Sequence, residues 1–220
     1  MRELTPGAIA AARADIQSGA LRGARLLERL SSIPVADRDV WLDAVLGYGD
    51  LPADDPALPR GAVPYLPCGV EEILTTVREA PMGAEDVLVD LGSGLGRVVI
   101  LAHLLTGARG LGIEIQDALV ERSETCRAAL GLPNVSFVRA NATEVELDGS
   151  VFFLYSPFNG EMLTRVVARI EAVARRRPVV VCAVDLELHG VSWLSRRTTS
   201  SPSVTLYDGS PSSVGEAMRR

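Results

Sequence analysis

The chain has 220 residues, 47% of them hydrophobic and 23% charged, which fits one domain of ordinary size with an appendage. Its 28 acids exceed its 22 basic residues, giving a net charge of −6 that repels nucleic acid and disfavours an anionic membrane surface. Cys68, Cys126 and Cys182 stand far apart, with no C-x-x-C pair and no neighbouring histidine, so no disulfide framework or metal site is indicated and a reducing cytoplasm is the simplest setting.

Every basic residue in that count is arginine, and lysine is absent, in keeping with the codon bias that the Ala, Gly and Val usage also suggests. At the N-terminus, Glu3 and Pro6 stand where a signal peptide would be apolar, and no uncharged apolar run reaches membrane-spanning length, so a soluble, unexported protein is expected. Ile9, Ala12, Ile16, Ala20, Ala24, Leu27 and Leu30 recur at helical spacing and predict two helices meeting near Ser18 and Gly19. Val40, Trp41, Ala44 and Val45 predict a third, closed by Gly47. Three prolines between Leu51 and Pro59 forbid regular structure, so a helical cap and linker are expected over residues 1–60 and a second domain over 61–220.

From residue 61 onward, short apolar runs alternate with amphipathic helices, which predicts an α/β fold with a parallel sheet. A helix over 70–78 precedes a strand over 86–90, a glycine loop and a helix over 97–105. Strands follow at 110–114, 135–138, 151–155 and 179–184, with helices at 118–129 and 161–174. Segments 192–198 and 203–207 lie too close for a helical crossover and predict an antiparallel hairpin.

The chemistry concentrates in Asp90-Leu91-Gly92-Ser93-Gly94-Leu95-Gly96-Arg97, a strand end that turns through glycines into a helix, where open α/β sheets hold nucleotide-like ligands. Arg97 stands where the dinucleotide fingerprint has its third glycine. A carboxylate before the turn, Asp90, opposes a pyrophosphate at the helix N-terminus but suits S-adenosyl-L-methionine, which offers an ammonium and a sulfonium. Glu114, at the next strand end, can accept hydrogen bonds from ribose hydroxyls, and Asn141, after the third strand, from an adenine amino group.

These residues resemble the class I, seven-strand S-adenosylmethionine-dependent methyltransferases over roughly residues 62 to 208. The resemblance implies a Rossmann-like sheet and a cofactor site of Asp90, Gly92, Ser93, Gly94, Gly96, Glu114 and Asn141. Tyr65, some 25 residues before Asp90, and the helix with Glu71, Glu72, Ile73 and Leu74 resemble a narrower set, bacterial methyltransferases and the non-SET protein-lysine type. That resemblance places Tyr65 against the methionine end of the cofactor. The chain departs from the pattern at Asn141, where an acid is usual, and at Leu66-Pro67, which replaces a polar pair.

In-line methyl transfer needs alignment, desolvation and a neutral lone pair more than a strong base. Tyr155 and Ser156 can hydrogen-bond a nucleophile, while Pro157 and Phe158 supply a rigid apolar wall. The loop partly resembles the N-P-P-Y loop of amino-methylating enzymes, which implies a nitrogen acceptor on a protein or another amine, with the N-terminal helices closing over the site. A small-molecule methyltransferase and a non-catalytic cofactor-binding module are the alternatives. His103 reads as a core residue; Asp185, Glu187 and His189 read as solvated loop, and Arg175 to Arg177 as charges complementing a helix C-terminus. Arg97 opens a helix and calls for an acid or a ligand group as partner.

Overall fold

The computed structural model describes residues 2–212 and 218; Met1 and the rest of the C-terminal end of the expected 61–220 domain lie outside the described residues. Three helices come first: α1 (Pro6–Gln17), α2 (Gly23–Ser32) and α3 (Val35–Leu46). Thr5 caps α1, its hydroxyl oxygen accepting from the Ala8 amide at 3.3 Å ahead of Pro6, and Gly47 ends α3 at φ 75°. Helix α3 begins five residues before the periodic stretch that marks it in sequence, because Pro34 sets its start.

The sheet follows as β1 (Val87–Leu91), β2 (Arg109–Glu114), β3 (Val135–Arg139), β4 (Val151–Tyr155), β5 (Val179–Val184), β6 (Ser195–Thr198) and β7 (Val204–Gly209). The helices between are α4 (Val70–Glu79), α5 (Arg97–Thr106), α6 (Asp117–Leu130) and α7 (Gly160–Ala174). Strand order is β3-β2-β1-β4-β5-β7-β6; β1 to β5 run parallel, and β7 is antiparallel to both β5 and β6. The order reverses between β1 and β4, which opens a crevice at their carboxyl ends.

Alternate residues of the buried strands face opposite layers. Leu88, Val151, Phe153, Cys182 and Val184 pack with α4, α5 and α6, and the same core continues through Ile16, Leu26, Leu30, Trp41 and Leu42 of the first three helices. Val89, Leu91, Phe152, Leu154 and Val181 pack with Met162, Val166 and Ile170 of α7 and with Leu188 and Trp193 from the loop after β5. The N-terminal helices are thus an outer layer on one face of the sheet. At the edge, the outward Phe137 amide of β3 donates to Glu124 Oε1 at 2.8 Å. His103 is buried in α5 with Nδ1 2.7 Å from the Ala108 carbonyl oxygen. Arg175 and Arg177, past the end of α7, pair with Glu171 and Asp148.

Candidate active site

The crevice at the β1/β4 switch encloses about 880 Å³ of empty space, open solvent at its mouth included. Of the residues singled out in sequence, Tyr65, Asp90, Gly92, Ser93, Glu114, Tyr155, Ser156, Pro157 and Phe158 all line it. Gly94, Gly96 and Asn141 do not appear in its lining.

The glycine loop owes its shape to close packing. Its Gly92 (φ 87°) lies against Pro157, where a Cβ would stand 2.6 Å from the proline Cβ. A Cβ on Gly94 (φ 53°) would stand 2.1 Å from Cε2 of Tyr65. The loop amides are already engaged within the protein: Gly92 and Ser93 N–H donate to the Ile113 carbonyl at 2.8 and 3.1 Å, and Gly94 N–H to Glu114 Oε2 at 2.9 Å. A phosphate cradle needs such amides free to point at the ligand, so this turn is not built for a pyrophosphate.

Asp90 is 3% exposed, and no hydrogen bond from the described residues reaches its carboxylate. Burial, and then the neighbouring Glu114 carboxylate, pushes its pKa well above the ordinary value. The Ser93 hydroxyl is likewise buried without a partner among the described residues. An acid left without a donor in the cleft fits a ligand that brings a positive charge able to donate hydrogen bonds. The ammonium-bearing end of S-adenosylmethionine is such a ligand.

Glu114 is more committed than its sequence position suggests. Besides Gly94 N–H, it accepts from Ile115 N–H at 2.7 Å and Gln116 N–H at 2.9 Å, so it ties the glycine loop to the end of β2. Asn141 serves its own turn instead. Its Oδ1 accepts from both the amide (3.0 Å) and the hydroxyl (2.8 Å) of Thr143, and its Nδ2 donates to Glu144. Those bonds fill the oxygen that an adenine amino group would need, while its neighbours Ala140 and Ala142 line the cleft.

At the end of β4, Tyr155 is half-buried, and burial raises its phenol pKa above the ordinary value, so the phenol is neutral at physiological pH. Ser156 and Asp185, at the ends of β4 and β5, both take left-handed backbone, φ 39° and 48°. Such residues cost about 1–3 kcal/mol each and concentrate at ligand sites. Ser156 Oγ donates to the Asp185 carbonyl at 2.6 Å, which braces the two loops against each other and gives that hydroxyl a structural role.

The end of the expected linker and the first residues of the expected 61–220 domain form one wall. Leu58, Ala62, Val63, Pro64, Tyr65 and Leu66 line the cleft, whereas α1 to α3 contribute no lining residue, so the roof expected from those helices is absent from this cleft. Val63 N–H donates to the Pro157 carbonyl at 3.1 Å, and Asn159 N–H to the Gly61 carbonyl at 2.9 Å, fastening this wall to the acceptor loop. Burial pushes the Tyr65 phenol up to about 12. Arg97 finds acids as partners: it donates to Asp39 Oδ1 and the Cys68 carbonyl through Nη1, and to Asp43 Oδ1 through Nη2. Among the described residues the three cysteines are free and buried, and no group of three or more His, Cys, Asp or Glu is arranged to hold a metal ion.

Residues 68–142, which carry the loop, β2 and β3, match the family model described as histone methylation protein DOT1. No curated protein sequence matches the chain. An RNA methyltransferase from Salinibacter ruber, solved with S-adenosyl-L-homocysteine, is similar over 66% of this chain and 92% of its own, with 24% identity and a TM-score of 0.52. A putative methyltransferase from Escherichia coli, yhhF, is similar over 73% of this chain and 92% of its own, with 19% identity and a TM-score of 0.54. The fold is that of the class I, S-adenosylmethionine-dependent methyltransferases. Among the described residues no helix is long and apolar enough to cross a membrane.

Proposed function

We propose that this chain binds S-adenosyl-L-methionine and methylates a nitrogen on a protein side chain or another amine-bearing substrate. The observation that carries the reading is Asp90, a buried carboxylate opening on the cleft with no protein donor among the described residues. When bound, the cofactor supplies an electrophilic methyl group on a sulfonium. Asp90 would hold its ammonium, Glu114 its ribose and Tyr65 the methionine end. Glu114 keeps one unfilled acceptor direction on Oε2 for that purpose.

On the acceptor side, Tyr155 offers a neutral phenol that accepts from or donates to an amine, and Pro157 and Phe158 exclude water from the approach. Tyr155 would orient the lone pair of the amine toward the methyl group that the cofactor supplies, and the extra proton of the product ammonium would pass to solvent. No side-chain base is needed if the amine enters neutral.

A protein side chain is favoured by the match to a family described by histone methylation and by the absence of helices α1 to α3 from the cleft lining. A small amine is the second reading, favoured by the wall of residues 58–66 that narrows the cleft. The similar RNA methyltransferase raises nucleic acid as an acceptor. The exposed Asp54 and Asp55 on the segment leading to the wall, with a net charge of −6, weigh against a polyanion.

Calorimetry with S-adenosylmethionine and S-adenosylhomocysteine tests the cofactor reading, and failure of both to bind at high micromolar concentration sinks it. Transfer of labelled methyl to a lysine-bearing peptide, with none to a panel of small amines or RNA, would support the protein acceptor. Tight cofactor binding without any transfer would leave a binding module. Because the chain has no lysine, automethylation of lysine side chains cannot contribute background.

A further inference from the structure

Besides its backbone bonds to the acceptor loop, the wall formed by residues 58–66 is held to the end of β2 by polar contacts centred on one side chain. Asp54 Oδ1 accepts two hydrogen bonds at 2.9 Å, one from the Tyr65 amide and one from Gln116 Nε2. The next residue completes the grip, since Asp55 N–H donates to Gln116 Oε1 at 2.7 Å. Gln116 is itself buried and immobile: its amide donates to Glu114 Oε1, and its carbonyl accepts from Leu119 and Val120 N–H at the start of α6. Asp54 is exposed and does not line the cleft.

Between Asp54 and Tyr65 the chain passes Pro56, Pro59 and Pro64, which limit its backbone freedom. A stiff segment anchored near both ends moves as one piece. At its far end the Tyr65 ring presses on Gly94, whose amide is bound to Glu114. One carboxylate oxygen therefore ties the Tyr65 backbone to Gln116 at the end of β2, beside the Val63 and Gly61 bonds that hold the middle of the wall to the acceptor loop.

Resting on the reading of this cleft as the S-adenosylmethionine site, we propose that Asp54 is a positioning residue whose carboxylate latches segment 51–66 to Gln116 over the bound cofactor. The latch steadies this wall against the bound cofactor and slows the cofactor's departure. Its bonds are solvent-accessible on the Asp54 side, so they exchange readily with water while the core beneath stays intact.

The test compares the full chain with Asp54→Ala and Asp54→Asn. Asp54→Ala is expected to raise the Kd for S-adenosylhomocysteine about tenfold, mainly through faster dissociation, with little change in Tm, because the residue is exposed and two hydrogen bonds are lost. Asp54→Asn keeps a side-chain oxygen that can accept both donors and should stay within about threefold of the wild type. In hydrogen–deuterium exchange, S-adenosylhomocysteine should slow exchange of residues 51–66 in the wild type and fail to do so in Asp54→Ala.

Equal affinity and dissociation rate in Asp54→Ala and wild type would overturn the proposal, as would a loss in Asp54→Asn equal to that in Asp54→Ala. Should Asp54→Ala not fold, the wild-type exchange experiment decides: ligand-independent exchange over 51–66 rejects the latch. Failure of the wild type to bind the ligand at all would instead reject the cofactor reading beneath it.

Discussion

Arg97 Nη1 donates to Asp39 Oδ1 at 3.0 Å, joining the first turn of the helix that leaves the glycine loop to a residue 58 positions earlier in the chain. The same nitrogen reaches the Cys68 carbonyl at 2.8 Å, and Asp39 Oδ1 also accepts from Val70 N–H at the start of α4. The guanidinium is 5% exposed, while its acids are about half exposed. Burial outweighs Arg97 at Asp43 and raises its pKa. The outer helical layer is therefore wired to the helix that leaves the glycine loop through one buried cation.

Removing that cation should destabilise the whole chain. Breaking a fully buried pair costs about 3–5 kcal/mol, and the exposure of both acids lowers the figure for Arg97→Ala to about 2–3 kcal/mol. At about 2–4 °C per kcal/mol for a chain of this size, a fall in Tm of roughly 5–10 °C is expected by calorimetry. Arg97→Lys should recover only part, since an ammonium lacks the planar fork that reaches three acceptors. A Tm within about 1 °C of wild type would reject the wiring.

Asp90→Asn should separate stability from binding. A carboxyl whose folded pKa is raised adds stability that is fully present below its unfolded pKa and is lost as pH climbs through the folded value. The unliganded protein therefore gives up this contribution from about pH 4 upward to the elevated native pKa of Asp90. The neutral variant is expected to melt higher at pH 7 and to show a flatter Tm profile from about pH 4 upward. Its affinity for S-adenosylmethionine should fall at least about tenfold, for want of a countercharge. Parallel Tm profiles in variant and wild type would contradict the burial argument.

At Gly94, both the left-handed backbone and the Tyr65 ring oppose a side chain. Gly94→Ala should lower Tm and weaken S-adenosylhomocysteine binding together, because the loop must shift away from Glu114. Adding Tyr65→Ala to Gly94→Ala relieves the ring clash and should restore part of the Tm, which a double-mutant cycle would register as coupling. Purely additive losses would mean that the contact is not energetic.

Tyr155→Phe keeps the ring and removes the phenol from the acceptor side of the cleft. The expected result is a kcat reduced about tenfold or more with the Kd for cofactor unchanged, read from single-turnover transfer beside calorimetry. A raised cofactor Kd with normal kcat would move Tyr155 to the cofactor side.

Much of this molecule is legible in its residues because the informative signals are local. The apolar runs that become β1 to β5 need only their neighbours to be recognised, and Asp90 before a glycine turn states its ligand preference in a few positions. Contacts across long stretches of chain leave no such mark. Three prolines between Leu51 and Pro59 announce the loss of regular structure, yet nothing nearby says that Asp54 will meet Gln116, 62 positions away. The partners of Arg97 lie 54 and 58 positions off, on a helix whose charged residues read locally as an ordinary solvated face. Asn141 carries a signal that sequence reading can use: Asn followed two residues later by Thr is a common local turn, and that turn takes up its side-chain oxygen.

The Glu124 carboxylate on the Phe137 amide bears on how this protein behaves in a crowd. Strand β3 is one open margin of the sheet, and an outward amide there would template a strand from another molecule. The opposite margin, β6, is only four residues long and carries Arg196 and Arg197. One margin is covered by a carboxylate and the other is short and cationic, so neither offers a foreign strand an uncharged ladder on which the sheet could grow.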